Sequence, residues 1–290
     1  MSISRRRVVL DTDTFNEVDD QFALAHLLLS RDQVDLEAVY AAPFHIPGRS
    51  TDPADGMEKS YEEIQRVLEL TGVKPHPPVF RGSRTYLRNA TTPVESPAAI
   101  DLVQRATKSG TEKLYVAGIA VATDIASALL LEPRIADRVV IVWLGGHAPY
   151  WPDTREFNLG QDLHAARVLL QSKAPLVILP CMPVASHLLV TPAELEKELA
   201  PHGKLGAYLT RIVTEYGKGA AGWSKPIWDI SASAYVINPD WITLDSQPAP
   251  ILTDEVTWHA NPQGRTIQVA RQLDRDAIFA DFFAKSRLAN

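Results

Sequence analysis

The chain has 290 residues, with 29 Lys and Arg against 35 Asp and Glu for a formal charge of −6, and 46% of its residues are apolar against 22% charged. This ordinary globular balance argues against non-specific nucleic-acid binding, which needs clustered cations, and no apolar run approaches the ~20 residues of a membrane span. A single cysteine, Cys181, leaves no intramolecular disulfide and fits a reducing, cytoplasmic setting, and Val8-Val9-Leu10 is cut short by Asp11 before it could act as a signal segment.

In chain order, residues 8–10 read as a buried strand, 20–30 as a helix, 36–41 as a second strand and 56–70 as a long amphipathic helix. Short apolar strands follow at 114–117, 139–144 and 176–179, separated or followed by helices at 123–131, 162–171 and 192–199. Residues 256–260 and 266–270 flank Asn261-Pro262-Gln263-Gly264, a turn signal that predicts a hairpin, and 275–289 reads as a closing helix. Continuous rather than alternating apolar runs mark strands covered on both faces. Their alternation with helices predicts an α/β fold, a mostly parallel Rossmann-like sheet flanked by helices. Neither repeat nor linker interrupts the pattern, so one domain is expected over 1–290. In such sheets ligands bind beyond the carboxyl ends of the strands.

Directly after the first strand, Asp11, Asp13, Glu17, Asp19 and Asp20 fall within ten residues. One or two of these carboxylates can cap the following helix and favour its positive end, but five exceed that need. Crowded carboxylates raise one another's pKa unless a cation holds them. An oxygen-only set without His or Cys suits a hard cation, Ca²⁺ or Mg²⁺, so a metal or acid–base site is expected here. Taken alone, Val8 to Thr14 also looks like the first motif of the haloacid-dehalogenase-type phosphatases, with Asp11 as nucleophile. The late Gly-Asp pair of that family is not found in the chain.

A longer series of segments resembles the nucleoside hydrolases, the N-ribohydrolases that use calcium. Asp11-Thr12-Asp13 and then Asp19-Asp20 match the N-terminal signature, and Ala117-Gly118 with Thr123-Asp124-Ile125-Ala126 is similar to the segment whose Thr carbonyl binds the metal. Trp143-Leu144-Gly145-Gly146, Glu156-Phe157-Asn158 with Asp162, and Trp228-Asp229 before Ser231-Ala232 follow in the family's order. The resemblance implies a nucleoside hydrolase fold, hydrolysis of ribonucleosides to ribose and free base, a nucleoside partner and a homodimer or homotetramer. It implies calcium held by Asp13, Asp20, Asp229 and the Thr123 carbonyl. Asp13 would also take the proton from the attacking water. Asp19, Glu156, Asn158 and Asn16 would grip ribose hydroxyls, and Asp11 would support the metal site. Read locally, Asp229 serves equally as the cap of a helix starting near Ser231, and Glu156 and Asn158 as a polar loop.

The pattern departs from the family at three places. Trp228 stands where many members carry a His that protonates the leaving base. Tryptophan cannot supply that proton, but it can stack on a purine, and purine-preferring members carry Trp there, which weakly favours purine nucleosides. Tyr86, Tyr150 and Trp151 are candidates for a second ring, and His45, His147 and His187 for an alternative proton donor. Five residues rather than three separate Asp13 from Asp19. The segment Pro43 to Pro47 lacks the Asn that often contacts substrate. The missing His also leaves open a metal-containing nucleoside- or ribose-binding protein without turnover.

Overall fold

The computed structural model describes residues 5–288 apart from Ser109 and Thr111. Strands are β1 (Arg6–Thr12), β2 (Val34–Ala41), β3 (Val79–Arg81), β4 (Leu114–Gly118), β5 (Val139–Leu144), β6 (Leu176–Leu179), β7 (Leu189–Val190), β8 (Lys225–Pro226), β9 (Ile242–Pro248), β10 (Ile251–Leu252), β11 (Trp258–His259) and β12 (Thr266–Leu273). Helices are α1 (Asp20–Leu28), α2 (Pro53–Thr71), α3 (Pro97–Ala106), α4 (Thr123–Leu131), α5 (Phe157–Gln161), α6 (Leu163–Gln171), α7 (Pro192–Glu198), α8 (Gly203–Tyr216), α9 (Ile230–Ile237) and α10 (Arg275–Leu288).

The central sheet has eight strands in the order β3-β2-β1-β4-β5-β6-β12-β9. Every neighbouring pair is parallel except β9 against β12. β1 shows why the continuous apolar run is needed. Val8 and Leu10 enter one core and Val9 the other, each with no exposed surface. Phe22, Met57, Phe279 and Phe282 fill the first core, beneath α1, α2 and α10. Leu102, Ile125 and Leu169 fill the second, beneath α3, α4 and α6. Each large apolar side chain so buried contributes roughly 1.5–3 kcal/mol.

The chain runs outward from β1 to β3 and then returns to β4 on the other side of β1. The carboxyl ends of β1 and β4 therefore flank the switch point where a crevice must open. The α/β reading is borne out, and the predicted spans 123–131 and 139–144 coincide with α4 and β5. α2 begins earlier than expected because Asp52 caps it, accepting from the Asp55 N–H at 2.9 Å, with Pro53 in the first turn.

The expected hairpin is not formed. Its turn exists, with Gly264 N–H donating to Asn261 O at 2.8 Å, but β11 pairs with β10 and β12 pairs with β6 and β9. The apolar positions of β12 find buried neighbours in the main sheet, whereas a free two-stranded hairpin would leave them half covered. The closing helix is described to Leu288, and residue 289 lies outside the described residues.

Candidate active site

The crevice at the switch point is a cleft of about 360 Å³, walled by Asp13, Asn16, Asp19 and Asp20 from the first loop, Trp228 and Asp229 before α9, and Glu156, Phe157 and Asn158 at α5. α1 and α9 both start at this cleft, so their positive ends face its carboxylates and offset part of their crowding. One oxygen each from Asp19, Asp20 and Asp229 lies within 4.8 Å of the others, and all three residues are buried. Asp13 is 1% exposed, and neither of its carboxylate oxygens has a hydrogen-bond partner among the described residues.

Burial, and then the neighbouring carboxylates, push the Asp13 and Asp229 carboxyls well above the usual range. Burial and Asp19 bring Asp20 to about 7, although the Thr12 hydroxyl donates to it at 2.5 Å. Buried carboxylates this close ionise together only when a cation compensates them. Oxygen donors without His or Cys fit a hard divalent ion. The group that the structure brings together is Asp19, Asp20 and Asp229, with Asp13 close enough to feel Asp20 and Asp19.

Thr123 opens α4 and is fully buried, its hydroxyl donates to Asp162 at 2.7 Å, and it is not part of the cleft wall. Asp11 is fully buried and is not part of the cleft wall. Its carboxyl is raised by burial and by Asp124, and a fully buried carboxyl off the cleft is out of reach of a substrate phosphoryl group.

Glu156 is the N-cap of α5, and its carboxylate accepts from the backbone N–H groups of Asn158 at 2.8 Å, Leu159 at 3.0 Å and Gly146 at 2.8 Å. Glu156 thus caps a short helix, where the local reading expected a polar loop, and it also lines the cleft. The Asn158 amide donates to Ile119 O at 3.2 Å and Leu144 O at 3.1 Å, so only its oxygen is left for a ligand. Asn16 Oδ1 is a buried acceptor without a partner among the described residues.

Of the three histidines, only His147 reaches the cleft. Its Nδ1 accepts from the Met182 N–H at 3.3 Å, and burial lowers its pKa. His45 is exposed, and His187 is exposed with Nε2 2.9 Å from Leu273 O. Tyr86, Tyr150 and Trp151 lie outside the cleft wall, where Phe157 supplies an aromatic ring instead. The Tyr86 hydroxyl donates to Gln161, Tyr150 is 70% exposed, and Trp151 packs edge-on against His147.

Lys225 belongs to none of the motifs read from the sequence. It is 3% exposed, with Nζ 2.5 Å from Glu17 Oε2 and 3.4 Å from Asp19 Oδ1. Between Ser224 and Pro226 it looks like an ordinary surface lysine; its place three residues before Trp228-Asp229 was the one available signal.

This crevice at the switch point of a parallel sheet, lined by carboxylates that suit a cation, defines a metal-assisted hydrolase site. The family described as inosine-uridine preferring nucleoside hydrolase matches residues 8–280. The chain belongs to that family, whose members are N-ribohydrolases acting on N-glycosyl bonds. An inosine-uridine preferring nucleoside hydrolase of Leishmania major is 25% identical over 94% of this chain and 95% of its own length. A pyrimidine-specific ribonucleoside hydrolase of Escherichia coli is 31% identical over 129 residues, 41% of this chain and 40% of its own. The solved structure of a purine-preferring ribonucleoside hydrolase from Gardnerella vaginalis shares the fold, with a TM-score of 0.75 at 21% identity over 98% of this chain and 99% of that one. Among the described residues, no helix is long and apolar enough to cross a membrane.

Proposed function

We propose that this protein hydrolyses ribonucleosides to ribose and free base with calcium as its metal and purine nucleosides as its preferred substrates, acting as one domain within a cytoplasmic homodimer or homotetramer. The observation that carries this reading is Asp13, a buried carboxylate with two unclaimed oxygens that feels the charges of Asp19, Asp20 and Asp229, which themselves cluster within 4.8 Å. Asp13, Asp20, Asp229 and the Thr123 carbonyl would hold the ion, which when bound lowers the pKa of water and clamps sugar hydroxyls.

Cleavage of an N-glycosidic bond passes through an oxocarbenium-like sugar. Asp13 takes the proton from the attacking water, a general-base role that needs a free oxygen within hydrogen-bond reach. Asp19 accepts from ribose hydroxyls, as do Asn16 and Asn158 through their side-chain oxygens, and Glu156 completes that wall. Asp11 supports Asp13 from outside the cleft.

The cleft histidine, His147, has its Nδ1 taken by the Met182 N–H and its pKa lowered by burial, so it is a poor proton donor to the leaving base. Trp228 offers a stacking face in its place, and the larger purine ring gains more from it than a pyrimidine. The base then takes its proton from solvent. Relatives of both preferences exist, and Trp228 is what favours purines here. The test is a panel of purine and pyrimidine nucleosides followed by free-base release. Faster cleavage of inosine and guanosine than of uridine is expected; binding without release of any base would reject turnover in favour of a nucleoside-binding protein.

A further inference from the structure

Asp19 has two open roles. Its carboxylate lies with Asp20 and Asp229 in a group whose oxygens are within 4.8 Å of one another, close enough for one ion to take all three. It also lies on the wall where a sugar would sit. Lys225 decides between them. The ammonium donates to Glu17 Oε2 at 2.5 Å and to Pro226 O at 3.0 Å, and forms an ion pair with Asp19 Oδ1 at 3.4 Å. Asp19 Oδ2 accepts the Trp228 backbone N–H at 3.1 Å. Glu17 is itself steadied by the Tyr216 hydroxyl at 3.2 Å. Glu17 comes from the longer loop between Asp13 and Asp19, so the extra residues there have a use.

We propose that Lys225 is a positioning residue that, anchored by Glu17, holds Asp19 as a sugar-binding carboxylate and keeps it out of the cation's ligand set. A carboxylate already neutralised by a buried ammonium gives little to a second cation, because the two positive charges compete for the same oxygens. It keeps lone pairs for a neutral hydroxyl, which does not compete with the ammonium. The same ammonium lies 6.0 Å from the centre of the Trp228 ring, so sugar and base contacts share one anchor.

This assignment rests on the calcium-dependent reading above, and its test separates the two. Calcium is titrated calorimetrically into the chelator-stripped full chain, alongside KM and kcat for inosine, for the wild type, Lys225→Met, Lys225→Arg and Glu17→Gln. Lys225→Met is expected to bind calcium at least tenfold more tightly, as Asp19 is freed for the ion, while KM rises at least tenfold. Glu17→Gln moves both quantities the same way by less, and Lys225→Arg, which keeps the charge, returns calcium affinity to near the wild-type value. Loss of calcium affinity in a folded Lys225→Met, or a Kd equal to wild type, would overturn the assignment. Should Lys225→Met fail to fold, the half-exposed Glu17→Gln decides by the same two outcomes. A wild type that takes up no calcium would instead overturn the parent reading and this one with it.

Discussion

At the residue scale the proposed chemistry turns on Asp13 and Trp228. A general base must keep an oxygen free, and Asp13 keeps both, whereas Asp20 gives one to the Thr12 hydroxyl. Asp13→Asn preserves size and removes the base, so kcat is expected to fall by about a thousandfold or more, on the order of 4 kcal/mol in the barrier. A loss below about tenfold, measured by free-base release from inosine, would take that role away from Asp13. Trp228→Ala is expected to cut kcat/KM for inosine at least tenfold more than for uridine, and equal losses would dismiss stacking as the source of preference. Both residues were legible in the sequence because the motifs around them are local. Lys225 was not, since its partner Glu17 is 208 positions away and only the fold brings them together.

The elements that carry the site are tied to one another away from it. α1 presents Asp20 from its first residue, and α9 presents Asp229 from its N-cap. His26 in α1 joins them, its ring 3.0 Å from Ser233 Oγ in α9 and 2.8 Å from Asp281 Oδ2 in α10. Burial lowers the His26 pKa, against the opposing pull of Asp281. The unfolded chain then binds more protons than the folded one between the folded and unfolded values, so stability rises with pH through that window. The contribution of His26 to stability is therefore expected to be lost as pH drops below about 6.5, opposite in sign to that of the raised cleft carboxylates. Urea midpoints of the wild type and His26→Gln at pH 7.5 and 5.0 check this, the wild type losing more than the variant on acidification; equal losses in the two would contradict it.

At this scale the local signals served well where an element answers to its own sequence, as α4 and β5 do. They failed for β12, whose partners β6 and β9 are chosen by sheet-wide burial rather than by the turn at Asn261 to Gly264. The segment that was expected to pair with it became β11, and there Trp258 Nε1 donates to His147 O at 2.9 Å, steadying the loop beyond β5. No pattern of residues 256–260 announces a contact so far along the chain.

The whole molecule is a sheet whose order reverses beside β1, which is why acidic residues from both ends of the chain meet in one cleft. The formal charge of −6 is thus partly a property of the interior. Burying Asp13, Asp19, Asp20 and Asp229 together costs stability that a bound ion restores, and a ligand at a hundred times its Kd adds about 2.7 kcal/mol. Calcium is expected to raise the thermal midpoint by several degrees, and Asp229→Asn to abolish that rise. An equal midpoint with calcium and with EGTA would contradict calcium binding by the folded chain.

The most direct test of the central claim is ribose release from inosine by the EGTA-stripped chain as calcium is added back. No turnover is expected in EGTA, with recovery that saturates with calcium at one ion per chain. Turnover that survives removal of the ion would contradict a metal-dependent hydrolysis at this cleft.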